Sequence, residues 1–119
     1  MATILVVDDS PSQIAHFTKI LEANGFDYIV AEDGASGVAL AKSAQPDLIL
    51  MDVVMPELNG FQATRKLTQD PTTKHIPVIL ATTKDQETDR VWGQRQGAKA
   101  FLVKPVEEGE LLKTLAEYL

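Results

Sequence analysis

Short apolar runs alternate along the chain with longer segments in which apolar residues recur every three or four positions. The runs have the length of β-strands, and the spacing of the longer segments is typical of helices that bury one face. Strands are predicted at Thr3–Val7, Tyr28–Ala31, Leu48–Met51, Val78–Ala81 and Ala100–Val103. Helices are predicted at Pro11–Asn24, Ala35–Ala44, Gly60–Gln69, Asp85–Gln96 and Glu107–Tyr118. Strand and helix are therefore expected to alternate five times.

Most of the predicted strands are apolar at nearly every position, which is typical of strands covered on both faces in a parallel sheet. The Tyr28–Ala31 run is shorter and more polar at its ends, so it is the candidate for an edge strand. Alternation of parallel strands with helices implies right-handed crossovers and an α/β fold with a doubly wound, five-stranded parallel sheet. The strand order 2-1-3-4-5, the flavodoxin-like (βα)5 arrangement, suits this pattern better than the six-stranded dinucleotide-binding fold.

The first predicted helix carries start and stop signals. Ser10 is placed to cap free backbone amides with its side chain, Pro11 suits the first helical position, and Gly25 can close the helix in a left-handed conformation. Spacings of three and four residues define its inward face as Ile14, Phe17 and Leu21.

Length and composition exclude several classes of protein. The 119 residues suit a single domain spanning 1–119, with no output domain expected. With 17 acidic and 11 basic residues the net charge is −6, which disfavours binding to nucleic acid. The chain has no cysteine, and no apolar run approaches the roughly 20 residues of a membrane helix. A cytoplasmic monomer without membrane insertion is expected.

Ligands of such sheets bind at the carboxyl ends of the strands, next to the point where the strand order reverses. The residues that follow the central strands are polar: Asp8, Asp9, Asp52, Thr82, Thr83 and Lys104. Carboxylates gathered there would repel one another, and either a raised pKa or a bound cation relieves the repulsion. Mg²⁺ is the expected cation because it takes carboxylate oxygens, keeps several waters and leaves room for a phosphoryl oxygen.

A lysine and a hydroxyl that face such a cluster suit phosphoryl transfer, which depends on positioning and on stabilising charge. Asp52 is the candidate nucleophile because it stands alone at a central strand end, whereas Asp8 and Asp9 are paired to hold metal. Taken singly, each residue has an ordinary explanation as a cap, turn or strand residue. Their joint placement at predicted strand ends favours the functional explanation.

Four stretches resemble the receiver domain of two-component response regulators, and the resemblance covers the whole chain. They are Ile4–Ser10, Asp47–Gly60, Ile76–Thr82 and Gly97–Pro105. The resemblance implies that Asp52 accepts a phosphoryl group from a histidine kinase. It also implies that Asp9, Asp52 and the backbone carbonyl of Val54 ligate Mg²⁺, while Asp8 assists through water.

By the same resemblance, Thr82 and Lys104 would bind the phosphoryl oxygens. When Thr82 moves toward the phosphoryl group it vacates space, and the ring of Phe101 can turn inward to fill it. Many members of the family have tyrosine at this position. Phe101 is therefore either the aromatic switch or a plain core residue.

Three residues flank the site at positions through which the family tunes the lifetime of the phosphate. Thr83 is bulkier than the small residue usual there and could narrow access to the phosphoryl group. An apolar Val54 cannot orient an attacking water, whereas Lys84 could contact the phosphoryl oxygens. Slow to moderate self-dephosphorylation is expected, with no other enzymatic activity.

Residues 82–98 and 59–65 resemble, more narrowly, the stand-alone receivers of type IV pilus twitching-motility chemosensory systems. This resemblance implies a chemosensory histidine kinase as phosphodonor and an output that concerns pilus extension or retraction. The output could be contact with a downstream effector protein, or drainage of phosphate from the kinase as a phosphate sink. Both outputs are compatible with the residues.

The predicted helix Asp85–Gln96 is the candidate partner surface. Val91 and Trp92 are its only large apolar residues, so it can bury only a narrow stripe. Arg90 and Arg95 flank them. Inward packing is the favoured interpretation of Trp92, and an exposed anchor for protein contact is the alternative.

Rival classes fit less well. A small phosphatase or phosphotransferase with an aspartate nucleophile needs a second carboxylate two residues later, where this chain has Val54. A flavin or nucleotide carrier needs a phosphate-binding loop rich in glycine or hydroxyl residues after the first strand. A purely structural pseudo-receiver is disfavoured by the intact set of aspartates. His16 and His75 lack metal-ligand spacing and are expected to face solvent.

Overall fold

The computed structural model describes residues 2–119. Its strands are β1 (Thr3–Val7), β2 (Asp27–Ala31), β3 (Leu48–Met51), β4 (Val78–Thr82) and β5 (Ala100–Val103). Its helices are α1 (Pro11–Ala23), α2 (Gly34–Ala44), α3 (Gly60–Gln69), α4 (Glu87–Arg95) and α5 (Glu108–Tyr118). Strand and helix alternate as predicted. Across 2–119 no helix has both the length and the apolar character that crossing a membrane requires.

The strands form one parallel sheet in the order β2-β1-β3-β4-β5, which confirms the predicted topology. The central position of β3 explains its composition, because all its residues are buried. β2 is an edge strand and exposes Asp27 and Tyr28 at its start. Val7 of β1 pairs with Met51 of β3, so the residues that follow these two strands emerge side by side.

Two apolar layers cover the sheet because successive strand residues point to opposite faces. Leu5 and Val7 belong to the layer completed by α2 and α3. Ile4 and Val6 belong to the layer completed by α1 and α5. The continuous apolar runs in the sequence therefore reflect burial on both faces of the sheet.

Helix α4 is shorter than predicted. It begins at Glu87 instead of Asp85 and ends at Arg95. The carboxylate of Asp85 pairs with the guanidinium of Arg90 at 2.9 Å, and the backbone N–H of Gln86 donates to Asp89 at 3.3 Å. Asp85 and Gln86, the first two residues of the predicted helix, therefore precede α4 and are not part of it.

The start of α1 differs from the prediction in one detail. The side chain of Ser10 caps no backbone amide, and its hydroxyl lies 3.1 Å from the hydroxyl of Ser12. The Ser10 N–H instead donates to the carboxylate of Asp8 at 2.9 Å. Pro11 occupies the first helical position as predicted, and Gly25 follows the helix with a φ of 79°. The loop after β1 is therefore held by Asp8.

Candidate functional site

Three carboxylates converge at the carboxyl ends of β1 and β3. Asp8 and Asp9 follow β1, and Asp52 follows β3. One oxygen of each carboxylate lies within 4.8 Å of the others. Asp8 and Asp52 are buried, whereas Asp9 is exposed. The parallel register of the two strands produces this cluster, as the sequence predicted.

Lys104 reaches this cluster from the end of β5. Its Nζ lies 2.5 Å from Oδ2 of Asp8 and 3.3 Å from Oδ1 of Asp52. Only 5% of its side chain is exposed. Buried charges are tolerated when they are paired, and this ammonium offsets part of the carboxylate repulsion. Three carboxylates against one ammonium still leave an excess of negative charge at the site.

The backbone around Asp52 is held closely. The Asp52 N–H donates to the carbonyl of Val7 at 2.9 Å, and the N–H of Val53 donates to Oδ1 of Asp52 at 2.9 Å. Gly60 donates to the carbonyl of Val53 at 2.9 Å. A Cβ at Gly60 would lie 2.0 Å from the carbonyl oxygen of Asp52, so only glycine fits there. The dipeptide Asn59-Gly60, a pair typical of turns, marks this point in the sequence.

Burial raises the pKa of the Asp52 carboxyl above its ordinary value. The ammonium of Lys104 lowers that pKa, the neighbouring Asp8 carboxylate raises it, and the N–H of Val53 lowers it slightly. The net direction is upward because loss of hydration outweighs the favourable contacts. A bound cation would act in the opposite sense, since positive charge favours the ionised carboxyl.

The donor set fits a hard divalent cation. Carboxylate oxygens are the ligands that Mg²⁺ prefers, and one or two carboxylates with several waters complete its shell. Val54 lies two residues after Asp52 and is 55% exposed. Its carbonyl oxygen accepts no hydrogen bond from residues 2–119 and is available as a further oxygen donor. The cluster of Asp8, Asp9 and Asp52 therefore has the chemistry of a magnesium site.

Thr82 ends β4 at the same edge of the sheet. Its side chain is fully buried, and its hydroxyl accepts a hydrogen bond from the N–H of Lys84 at 3.3 Å. The carbonyl of Thr82 accepts from the N–H of Lys104 at 2.8 Å, which links β4 to the lysine of the cluster. Thr83 and Lys84 are exposed on the rim.

The sequence profile of the response regulator receiver domain matches residues 4–116. The chain belongs to the response regulator receiver family. This receiver is 60% identical over 115 residues to Protein PilH of Pseudomonas aeruginosa, covering 97% of this chain and 95% of that protein.

Solved structures share the fold of the receiver over nearly its whole length. The chemotaxis protein CheY4 of Vibrio cholerae superposes with a TM-score of 0.94 at 34% identity, covering 100% of this chain and 99% of that one. The receiver domain of the Pseudomonas aeruginosa sensor histidine kinase PA1611 superposes with a TM-score of 0.91 at 29% identity, covering 98% and 96%. That structure holds a magnesium ion coordinated in its active site cleft.

The favoured interpretation of Trp92 was wrong. Trp92 is 49% exposed, and Gly93 is the buried residue of α4. A Cβ at Gly93 would lie 2.7 Å from a methyl carbon of Leu80 in β4, so the helix backbone approaches the sheet closely at this point. Because the glycine faces inward, Val91 and Trp92 face outward.

Two further residues of the predicted partner surface flank Val91 and Trp92 in the structure. Arg90 and Arg95 are exposed on α4. Phe101 of β5 is half-buried and packs against the layer of α2 and α3. The guanidinium carbon of Arg90 lies 5.1 Å from the centroid of the Phe101 ring.

The prediction that both histidines face solvent was wrong for His16. His16 is half-buried, and its Nε2 lies 2.7 Å from the carbonyl oxygen of Val106, which follows β5. This contact joins residues that are 90 positions apart in the chain, so local sequence carries no signal for it. His75 is exposed, in agreement with the prediction.

Proposed function

We propose that Asp52 is the phosphoacceptor of this receiver and that a histidine kinase is the phosphodonor. The state of its two carboxylate oxygens carries the proposal. Oδ1 accepts from Val53 and pairs with Lys104, whereas Oδ2 accepts no hydrogen bond from residues 2–119. Both oxygens of Asp8 are engaged, by Ser10 and by Lys104. Asp52 therefore combines burial, fixed orientation and a free attacking oxygen.

In the proposed step, Oδ2 of Asp52 attacks the phosphorus of a phosphohistidine. An O–P bond forms as the P–N bond breaks, and the electron pair of that bond returns to the imidazole nitrogen. Lys104 is already beside the attacking carboxylate, at 3.3 Å. We assign the stabilisation of the phosphoryl oxygens to its ammonium and to the hydroxyl of Thr82, because such transfer depends on positioning and on charge.

The carboxylates of Asp9 and Asp52 and the carbonyl of Val54 would hold Mg²⁺, with Asp8 acting through water. Mg²⁺ supplies neutralisation of the charge on the phosphoryl oxygens when it is bound. The proximity of the three carboxylates supports this assignment, since their oxygens lie within 4.8 Å of one another.

We further propose that the receiver works in the cytoplasm as a monomer, in a type IV pilus twitching-motility pathway. The 60% identity with Protein PilH supports this role, together with the motifs at 59–65 and 82–98. The phosphodonor would be a chemosensory histidine kinase. The output would be contact through the exposed residues Arg90, Trp92 and Arg95, or drainage of phosphate as a sink.

Slow to moderate self-dephosphorylation is proposed for the acyl phosphate. The exposed side chain of Val54 is apolar and cannot orient an attacking water. The ammonium of Lys84 lies 4.0 Å from the carboxylate of Asp89, and both residues line a surface depression together with Val54. Thr83 adds bulk beside Thr82. The rival phosphatase is not favoured, because Val54 stands where its acid or base would be.

The decisive test is transfer of radiolabelled phosphate from a phosphorylated chemosensory kinase to the native protein and to Asp52→Asn. Native protein should acquire a base-labile label, and Asp52→Asn should acquire none. Asp27→Asn is the matched control, because Asp27 is an exposed carboxylate at the opposite end of the edge strand. Equal labelling of native protein and Asp52→Asn would refute the assignment. Rapid loss of label in the presence of kinase would indicate a sink.

A further inference from the structure

Arg90 connects the start of α4 to the aromatic residue of β5. Its Nη2 donates to Oδ1 of Asp85 at 2.9 Å, so the guanidinium is held from one side by a carboxylate. The guanidinium carbon lies 5.1 Å from the centroid of the Phe101 ring, within the range of a cation–π contact. Asp85, Arg90 and Phe101 therefore form a stack at the surface.

The ring of Phe101 is also bounded by the backbone of α4. A Cβ at Gly93 would lie 2.7 Å from Leu80, which is too close, and 3.5 Å from Cδ2 of the ring, which is ordinary van der Waals contact. The half-buried ring lines a surface groove together with the side chains of Arg90 and Gln94. Its present position thus depends on α4 both through backbone packing and through the guanidinium.

We propose that Arg90 is a positioning residue that holds the Phe101 ring in this place and so opposes activation. The inference rests on the proposed function, in which the ring turns inward after Thr82 moves toward the phosphoryl group. Cation–π attraction exists only while the ring lies beneath the cation. A ligand shifts a conformational equilibrium only by its differential affinity for the two states, so part of the phosphoryl group's binding free energy is spent on releasing the ring.

Two other cations near α4, Arg95 and Lys84, do not share this role. Arg95 lies five positions further along the helix, on a different face, and lines the surface beside Trp92. Lys84 lies near the carboxylate of Asp89. Arg95 therefore serves as a matched control, with the same charge on the same helix and no contact with the ring.

The test measures the affinity of the native protein for beryllium fluoride in the presence of Mg²⁺. Trp92 is the only tryptophan of the chain and lies on α4, so its fluorescence reports binding. Arg90→Met should bind roughly two- to fivefold more tightly than native protein, the effect of losing one exposed cation–π contact. Arg95→Met should match native protein. Loss of a nearby positive charge alone would weaken anion binding, which is the opposite direction.

A double-mutant cycle with Phe101→Leu separates the proposed role from a merely structural one. If Arg90 acts through the ring, Arg90→Met should have no further effect on affinity in the Phe101→Leu background. An equal effect in both backgrounds would overturn the proposal. Unchanged or weaker binding by Arg90→Met alone would overturn it as well.

A second measurement does not depend on phosphoryl chemistry. In the ligand-free protein, the NMR signals of the Phe101 ring carbons should change in Arg90→Met and stay unchanged in Arg95→Met. Absence of binding by native protein, together with absence of label on Asp52, would refute the proposed function. In that case the NMR signals would still test whether Arg90 holds the Phe101 ring in place. Equal ring signals in Arg90→Met and Arg95→Met would overturn that role.

Discussion

Helices α1 and α4 lie against the same sheet but are attached to it in different ways. α1 buries Phe17, Ile20 and Leu21, whereas the buried residue of α4 is Gly93. α1 therefore contributes apolar burial to the core, and α4 rests on the sheet through a close backbone approach. Two helices of one layered fold can therefore contribute very different amounts to the free energy of unfolding.

Polar contacts hold the two ends of α4. At its C-terminal end, the hydroxyl of Thr68 donates to the carbonyl of Gln96 at 2.6 Å. At its start, the carboxylate of Asp85 pairs with Arg90. Exposed ion pairs contribute little stability, and single hydrogen bonds contribute roughly 1 kcal/mol. Compared with α1, which buries three large apolar side chains, α4 is therefore held to the rest of the fold by weaker contacts.

The largest change in the free energy of unfolding is expected from a substitution in the core beneath α1. Leu21→Ala should lower the free energy of unfolding by about 2–5 kcal/mol, because Leu21 is fully buried and its removal leaves a cavity. Trp92→Ala should lower it by about 0.5 kcal/mol or less, as surface substitutions generally do. Urea unfolding measures both values. Comparable losses in the two variants would contradict the contrast between the helices.

A smaller effect is expected at the C-terminal end of α4. Thr68→Val keeps the shape of the side chain but removes the hydroxyl that the Gln96 carbonyl accepts from, at a cost of about 1 kcal/mol. Amide hydrogen exchange should become faster in α4 and stay unchanged in α1. Thr18→Val on α1 is the control, since its exposed hydroxyl lies 3.4 Å from the Ala15 carbonyl. Faster exchange in α1 alone would show that Thr68 does not anchor α4.

The smallest effect on the free energy of unfolding is expected from removing the charge of Asp52. Contacts with Lys104 and Val53 offset part of the cost of burying that charge. The pKa of Asp52 is higher in the folded protein than its ordinary value of 3.8. Between these two values the folded state holds more protons, so stability falls as pH rises through that interval. Asp52→Asn should therefore be more stable than native protein at neutral pH, and the difference should vanish below pH 3.8.

Urea unfolding as a function of pH provides the measurement for Asp52→Asn. Lower stability of this variant at neutral pH would show that pairing with Lys104 outweighs burial. Hydrogen exchange sharpens the comparison of the helices. If repulsion between the carboxylates of the site loosened α4, Asp52→Asn would slow the exchange of α4 amides more than that of other amides. The packing of Gly93 against the sheet instead predicts that α4 amides show no such selective change.

The sequence was a good guide wherever a property depends on local pattern. The apolar runs identified the strands of residues 2–119, and the runs are most continuous in β3 and β4, where burial on both faces requires apolar side chains. Asp8, Asp52 and Lys104 were placed together because they follow strands that end at one edge of a parallel sheet. The orientation of Trp92 failed because it depends on the distance between α4 and Leu80, which no local pattern encodes.

By itself, the sequence determined the order of elements, the topology of the sheet and the identity of the residues at its carboxyl edge. These follow from strand and helix periodicity and from the handedness of parallel crossovers. Only the tertiary structure decided which oxygen of Asp52 is paired with Val53 and Lys104, where the ring of Phe101 lies and which carbonyl His16 contacts. Those features depend on distances of a few ångströms between side chains far apart in the chain, and only packing sets such distances.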